Sequence, residues 1–368
     1  MVNLKNMLVT SNRQESYILQ SLHYLKSVEQ IIIFGVGRGG KNVLNLLEEH
    51  GLATVVSYCD NDVAKQGMKY RKIPIVSPED SVNLYPNATY IISCVDDVHV
   101  RKQLLSLGVT HKQMIVLDLT LYDTQSESFI FKNIDKYNTV YQWLSDDDSK
   151  KVFVNLLNYK ITRDAAFLKP VFISNQKQYF NELVKSVKGK IFVDVGASVG
   201  DTLEEYINWC NGTYERIVCF EADENNQKKI SDLINEKRWK NIQTYPIAVS
   251  KEKGKLKFNA ISVGGGFISN DSGKVIACDS LDNVLTDEKV DFIKLDIEGG
   301  EYDALLGAQN IIQKCHPVIA CCVYHKIDDF FKLPQVIRSI YPYYRFYFRH
   351  YTLTEGETVC YALPDDAV

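Results

Sequence analysis

The sequence predicts an α/β protein with two sheets, and three observations carry that reading. Short apolar runs alternate with helix-period segments between residues 30 and 119. The same alternation restarts at residue 190. The chain then closes on two strands flanking Thr354-Glu-Gly-Glu, a hairpin signature. Strand–helix alternation builds parallel sheets. The second sheet is therefore expected to hold seven strands: five parallel, then a C-terminal hairpin with one antiparallel member.

Residues 1–28 read as a helical lead-in. A strand at 30–34 breaks into Gly35-Val-Gly37-Arg-Gly39-Gly40, and a helix over 41–50 closes at Gly51. A second strand, 54–59, ends at Asp60, and further buried runs lie at 90–95 and 113–119. Residues 121–188 are polar and helix-prone, which predicts a helical connector that also caps the second domain. The second alternation places strands at 190–195, 216–221, 242–245, 291–296 and 317–323, with the closing pair at 344–349 and 358–363. The expected domains are thus 1–120, 121–188 and 189–368, in keeping with 368 residues. Lys251, Lys253, Lys255 and Lys257 read as a solvated turn and edge strand. The glycine-rich stretch 264–273 reads as a mobile loop on the substrate side.

Composition narrows the function classes. Hydrophobic residues make up 45% and charged residues 24%, which excludes disordered and disulfide-scaffold proteins. With 42 basic and 46 acidic residues the net charge is −4, so no nucleic-acid partner is expected. Nine cysteines without a C-x-x-C pair sit mostly in apolar runs, which points to a reducing, cytoplasmic setting. The start of the chain lacks an apolar targeting core, and no apolar run approaches a membrane span.

The second half carries a ligand site. Asp194-Val-Gly196-Ala197-Ser198-Val-Gly200-Asp201-Thr202 is a strand end, a glycine turn and a helix start. Glu221 stands 27 residues beyond Asp194, at the end of the next strand, where a carboxylate can bind ribose hydroxyls. Together these predict an adenosine ligand. Pyrophosphate favours a bare helix start, whereas Asp194 and Asp201 would repel it and suit a cation. S-adenosylmethionine fits; NAD fits poorly. On the fourth strand Lys294 lies among apolar residues and needs a carboxylate partner, expected to be Asp296 or Glu298. His325, at the end of the fifth strand, is a general-base candidate. Cys315, His316, Cys321, Cys322 and His325 match no zinc spacing, and no metal centre is predicted.

The first half carries Gly35-x-Gly37-x-x-Gly40 between strand and helix, Lys41 at the expected helix start, and Asp60 25 residues beyond Gly35. That is a Rossmann-like dinucleotide fingerprint in its required context. No catalytic pairing is evident downstream of it.

Taken together, FVDVGASVGDT (192–202), CFEAD (219–223), DFIKLDIEGGEYDALLGA (291–308), VYHKIDDFFKLPQVI (323–337) and FYFRHYTLTEGETVCYAL (346–363) resemble FkbM-type methyltransferases over about residues 150–365. The resemblance implies a class I, S-adenosylmethionine-dependent fold and O-methylation of glycans or secondary metabolites. By position it implies that Asp194, Gly196, Ala197, Ser198 and Gly200 surround the methionine part and that Glu221 holds the ribose. Ala222 and Asp223 would flank the adenosine, and Ile247 and Ala248 would lie near the adenine. Asp296 would face the reacting centre, with Glu298 and His325 as neighbours. Ser198 departs from the usual glycine and fits if its backbone angle is ordinary. Residues 29–110, with FGVGRGGKNVLNLLEEHG (34–51), resemble the nucleotide-sugar-binding domain of bacterial sugar acetyltransferases, which implies a nucleotide-linked or glycan acceptor.

The leading reading is methyl transfer to a sugar hydroxyl in bacterial surface-glycan or related biosynthesis. His325 is the first candidate base and Asp296 the second. A divalent metal held by Asp296 and Glu298 would be an alternative way to acidify the hydroxyl, but the sequence shows no second carboxylate cluster. The competing readings are an NAD-dependent oxidoreductase, or a nucleotide-sugar-binding protein, acting through the first domain.

Overall fold

The computed structural model describes residues 3–9, 17–52, 55–94, 97–117, 119, 126–174, 176–261, 265–268 and 274–365. It forms two compact units. The first comprises Met1–Ile134, Val154–Pro170 and Leu353–Gly356; the second comprises Asp135–Phe153, Val171–Thr352 and Glu357–Val368. No described helix is long and apolar enough to cross a membrane.

In the first unit six strands, β1 (Ile31–Phe34), β2 (Val55–Cys59), β3 (Lys69–Tyr70), β4 (Ile73–Val76), β5 (Thr89–Ile92) and β6 (Met114–Val116), form one sheet ordered β3-β4-β2-β1-β5-β6. All neighbours run parallel except β3 and β4. The continuous Ile31-Ile-Ile-Phe34 run is explained by burial on both faces: Ile31 and Ile33 join one core, and Ile32 and Phe34 the other. The helix after β1 spans Arg38–Glu49, three residues ahead of the expected start, because Gly37 serves as its N-cap. Gly51, at φ +68°, ends it in the left-handed region as expected.

The same unit buries an ion triad. Glu355 pairs with Lys160 and Arg163, and all three side chains are buried. Burial alone would raise the Glu355 carboxyl, but Arg163 and Lys160 outweigh it and hold it below the usual carboxylate range. The expected hairpin about Thr354-Glu-Gly-Glu forms, its connection spanning 351–357 between the last two strands, and Glu355 within that connection serves the triad.

In the second unit the chain runs β7 (Ile191–Val195), β8 (Arg216–Phe220), β9 (Ile242–Tyr245), β10 (Ala248–Val249), β11 (Gly254–Ile261), β12 (Gly265–Ile268), β13 (Lys274–Asp279), β14 (Phe292–Leu295), β15 (Val318–Cys322), β16 (Tyr344–His350) and β17 (Thr358–Pro364). Seven of these build the main sheet in the order β16-β17-β15-β14-β7-β8-β9. Only β17 runs against its neighbours, as expected. The order reverses between β7 and β14, the place where open α/β sheets bind ligands beyond their strand ends.

Packing sets the register at that seam. Phe192 faces Phe292 and Asp194 faces Lys294 across β7 and β14. The Phe192 ring lies 5.1 Å from that of Phe292 and 4.6 Å from that of Tyr206. These rings anchor the core of the helix-covered face.

The four-stranded sheet β10-β13-β11-β12 was not legible in the sequence. The lysine-rich stretch proves to be an inner strand between β13 and β12, with Lys255 and Lys257 exposed on it. Part of the expected glycine-rich loop, Gly265–Ile268, is strand β12; residue 264 and residues 269–273 lie outside the described residues.

The triad yields a test. Glu355→Gln removes the carboxylate charge facing two buried cations and should cost about 3–5 kcal/mol in denaturant unfolding at pH 7. Because the Glu355 carboxyl is depressed, its contribution is present above about pH 4.3, its unfolded range, and fades as pH falls through the lower folded value. The gap between wild type and variant should therefore narrow below about pH 4.

Candidate active site

The glycine turn after β7 is held by contacts that only glycine permits. A Cβ on Gly196, at φ +89°, would stand 2.0 Å from the Asp296 carbonyl oxygen. Its N–H donates to the Phe220 carbonyl at 3.0 Å. Gly200, at φ +91°, is the N-cap of the helix Asp201–Trp209. Ser198 departs from the expected ordinary backbone angle: it lies at φ +49°, in the left-handed region. What holds it there is Glu221, whose Oε2 accepts the Ser198 N–H at 2.8 Å while its Oε1 accepts the Asp223 N–H at 2.8 Å. The sequence therefore uses one carboxylate both to brace the turn and to end β8.

Lys294 finds a partner other than the two expected. Its Nζ lies 3.0 Å from Asp194 Oδ1 and donates to the Gly196 carbonyl at 2.7 Å. Register alone brings the pair together. Burial would strip the proton from Lys294, but Asp194 more than offsets it and keeps the ammonium charged. Asp194 is fully buried and stands behind the turn.

These elements enclose a cavity of about 380 Å³. Of the predicted cofactor residues, Gly196, Ser198, Asp201, Thr202, Glu221, Ala222, Ile247, Ala248 and Asp296 line it. Asp194, Ala197, Gly200 and Asp223 do not line it. Lys294, Asp296 and Glu298 also line it, whereas His325 does not. Asp296 accepts from Tyr179 Oη at 3.0 Å and Tyr324 Oη at 3.2 Å. Burial would raise its carboxyl, but Lys294 and His325 outweigh that and hold it low. Glu298 sits at φ +56°, with its side chain 41% exposed and its carboxyl raised by burial.

His325 is buried behind these acids. Its Nε2 lies 3.5 Å from Asp296 Oδ1 and 3.7 Å from Glu298 Oε2, and its Nδ1 lies 2.9 Å from Glu301 Oε1. Burial opposes a charge on the ring, but Glu301, Asp296 and Glu298 outweigh it and push the ring up to about 10. Glu301 Oε1 also accepts from the N–H groups of Ile297 at 2.9 Å and Gly299 at 3.3 Å, so this acid shapes the turn that presents Glu298.

The sequence reading assigned no role to Gln178, Tyr179, Tyr324, Glu357 or Glu301. Gln178 and Tyr179 arrive from a segment far from the glycine turn, with no local signal. Tyr324, Glu301 and Glu357 lie inside the family-like motifs, where a hydroxyl and acids were available clues.

In the first unit the fingerprint residues also converge. A Cβ on Gly40 would lie 1.9 Å from the Gly35 carbonyl oxygen, which requires glycine there. Asp60 Oδ2 accepts the Val36 N–H and Oδ1 the Asp62 N–H, both at 2.9 Å, with Lys65 Nζ 3.3 Å away. Lys41 lies inside the helix, its ammonium 5.0 Å over the Tyr70 ring.

Comparison with known proteins supplies the family. Residues 194–351 match the family described as the methyltransferase FkbM domain. The second unit carries an FkbM methyltransferase domain. Residues 27–115 match a different family, described as C2185-like, N-terminal. The crystal structure of methyltransferase FkbM from Methylobacillus flagellatus KT aligns with 97% of this chain and 94% of its own, at 20% identity and a TM-score of 0.66. That likeness shows a shared fold. An rRNA methylase from Streptococcus thermophilus aligns with 55% of this chain and 95% of its own, at 14% identity and a TM-score of 0.32. Fibrillarin from Aeropyrum pernix, in complex with S-adenosyl-L-methionine, aligns with 48% of this chain and 67% of its own, at 12% identity and a TM-score of 0.32. No curated protein matches the chain. The FkbM domain thus spans the strands that carry the glycine turn, Glu221, Asp296 and His325, on the class I methyltransferase sheet.

Lys294→Met leaves the fully buried Asp194 carboxyl without its partner, and should destabilise the FkbM domain by about 3–5 kcal/mol. Removing both charges, in Asp194→Leu with Lys294→Met, should recover most of that loss. Calorimetric melting of the two variants beside wild type measures it.

Proposed function

We propose that the cavity binds S-adenosylmethionine and that the chain transfers its methyl group to a hydroxyl, on a sugar acceptor. One observation carries the reading. The cavity wall that holds the glycine turn, Ile247 and Ala248 also carries Asp201, Glu221, Asp296, Glu298 and Glu357 against the single ammonium of Lys294, among the described residues. That ammonium is already matched by Asp194. A cavity with this acid excess disfavours a pyrophosphate and favours a sulfonium cation with an amino group. Glu221 would accept the ribose hydroxyls, and Ile247 and Ala248 would cover the adenine.

The acceptor end is polar: Tyr179 and Tyr324 surround Asp296, and Glu298 is the partly exposed acid beside it. Such groups suit hydroxyls, and the FkbM resemblance favours a glycan source for them. The acceptor oxygen attacks the methyl carbon in line as the thioether leaves, and alignment supplies most of the acceleration. The proton goes to Glu298. That role passes from His325 to Glu298 on geometry, since Glu298 reaches the cavity and the His325 ring stands behind it.

Calorimetric titration tests the donor site. Glu221→Ala should weaken S-adenosylmethionine at least tenfold and, because the carboxylate also braces the Ser198 turn, lower the melting temperature; equal affinity in both proteins overturns the assignment. Glu298→Gln should lower kcat by about 10²–10⁴ and leave donor affinity within threefold. Formation of S-adenosylhomocysteine, followed with a panel of glycan acceptors, measures it.

A further inference from the structure

The cluster behind Asp296 has an ionic arrangement that methyl transfer alone does not require. His325 is 5% exposed and Glu301 1%. Neither ring nitrogen of His325 has a hydrogen-bond partner of good geometry, and Glu301 Oε2 has none either. Buried polar atoms nearly always find a partner, and an orphaned set calls for an ion or water. Nδ1 stands 2.9 Å from Glu301, whereas Nε2 stands 3.5 Å from Asp296 and 3.7 Å from Glu298, and a single ion takes one of the two nitrogens. Ligand-capable atoms of Asp296, Glu301 and His325 all lie within 4.8 Å of one another. Glu301 thus supplies the second carboxylate that the sequence did not reveal.

We propose that a divalent cation binds between Asp296, Glu301 and His325, at the inner end of the cavity. One imidazole with two carboxylates suits a first-row ion such as Mn²⁺ or Zn²⁺ better than Ca²⁺, which prefers oxygen alone. Asp296 lines the cavity while Glu301 and His325 stand behind it, so Asp296 is the ligand that would connect the ion to the acceptor end. This deepens the methyltransferase reading and rests on it for the acceptor. A hydroxyl on the ion gives up its proton more readily. The proton passes to Glu298, the oxygen lone pair forms the C–O bond, and the C–S electron pair returns to sulfur to leave a neutral thioether. Ligation requires the imidazolium to release its proton to solvent, and the ion then replaces that charge among the three carboxylates.

The experiment uses the full chain, stripped with a chelator and titrated with Mn²⁺ while the spin resonance of the free ion is followed. Saturable binding of one Mn²⁺ per chain is expected, weakened at least tenfold in both Glu301→Gln and His325→Gln. In case either variant folds poorly, wild type alone supplies a second readout: bound Mn²⁺ should broaden the methyl proton resonance of S-adenosylmethionine, and excess Zn²⁺ should reverse it. Absence of saturable binding, or binding equal in well-folded variants, overturns the cation site, as does an unbroadened methyl signal when donor is bound. Donor titration in the same samples separates the two readings. If S-adenosylmethionine binds and Mn²⁺ does not, the cation proposal falls and the methyl-donor reading stands. If the donor fails to bind, the methyl-donor reading falls, and the cation site is judged on Mn²⁺ binding alone.

Discussion

The second unit depends on one buried ion pair, Asp194 with Lys294. A lone charge in that core would be costly, so each side chain makes the other tolerable. The pair forms only in the register that also stacks Phe192 beside Phe292. Apolar packing and electrostatics therefore select the same alignment of β7 and β14. Lys294 then reaches forward to the Gly196 carbonyl and fixes the turn at the strand end. Two residues beyond Lys294, Asp296 emerges at the cavity.

Close backbone approach transmits that alignment to the site. Gly196 and the Asp296 carbonyl come too near for any other residue. Ser198 and Glu298, each in the left-handed region, flank this contact. Such angles persist only where neighbours over-determine them. Glu221 does so for Ser198 through its accepted N–H, and Glu301 does so around Glu298 through the N–H groups of Ile297 and Gly299. Both acids thus hold a turn as well as contributing charge. The result is a cavity with an acid-rich lining.

Much of the fold was legible because it is local. Apolar runs and helix-period patterns located the seven strands of the main sheet to within about one residue, and four of the six strands of the first sheet to within about three, missing β3 and β4; Gly35, Gly196 and Gly200 marked their turns. Glu221 and Asp296 were legible as site candidates because each ends a strand beside the glycine turn. The small sheet escaped because its lysine-rich strand β11 lies between β12 and β13 while showing the polarity of an edge. Tyr179 escaped because 117 residues separate it from Asp296.

The sequence by itself determined the strands of the main sheet, where the glycine turns fall and which carboxylates end the strands. These follow from backbone sterics and from apolar periodicity, both properties of neighbouring residues. Only the tertiary structure decided the partner of Lys294, the engagement of Asp60 by Val36, and the placing of His325 behind the cavity wall rather than on it. Those outcomes depend on burial and on charges brought together from distant segments. Interactions of that kind act through space, and residue order along the chain does not encode them legibly.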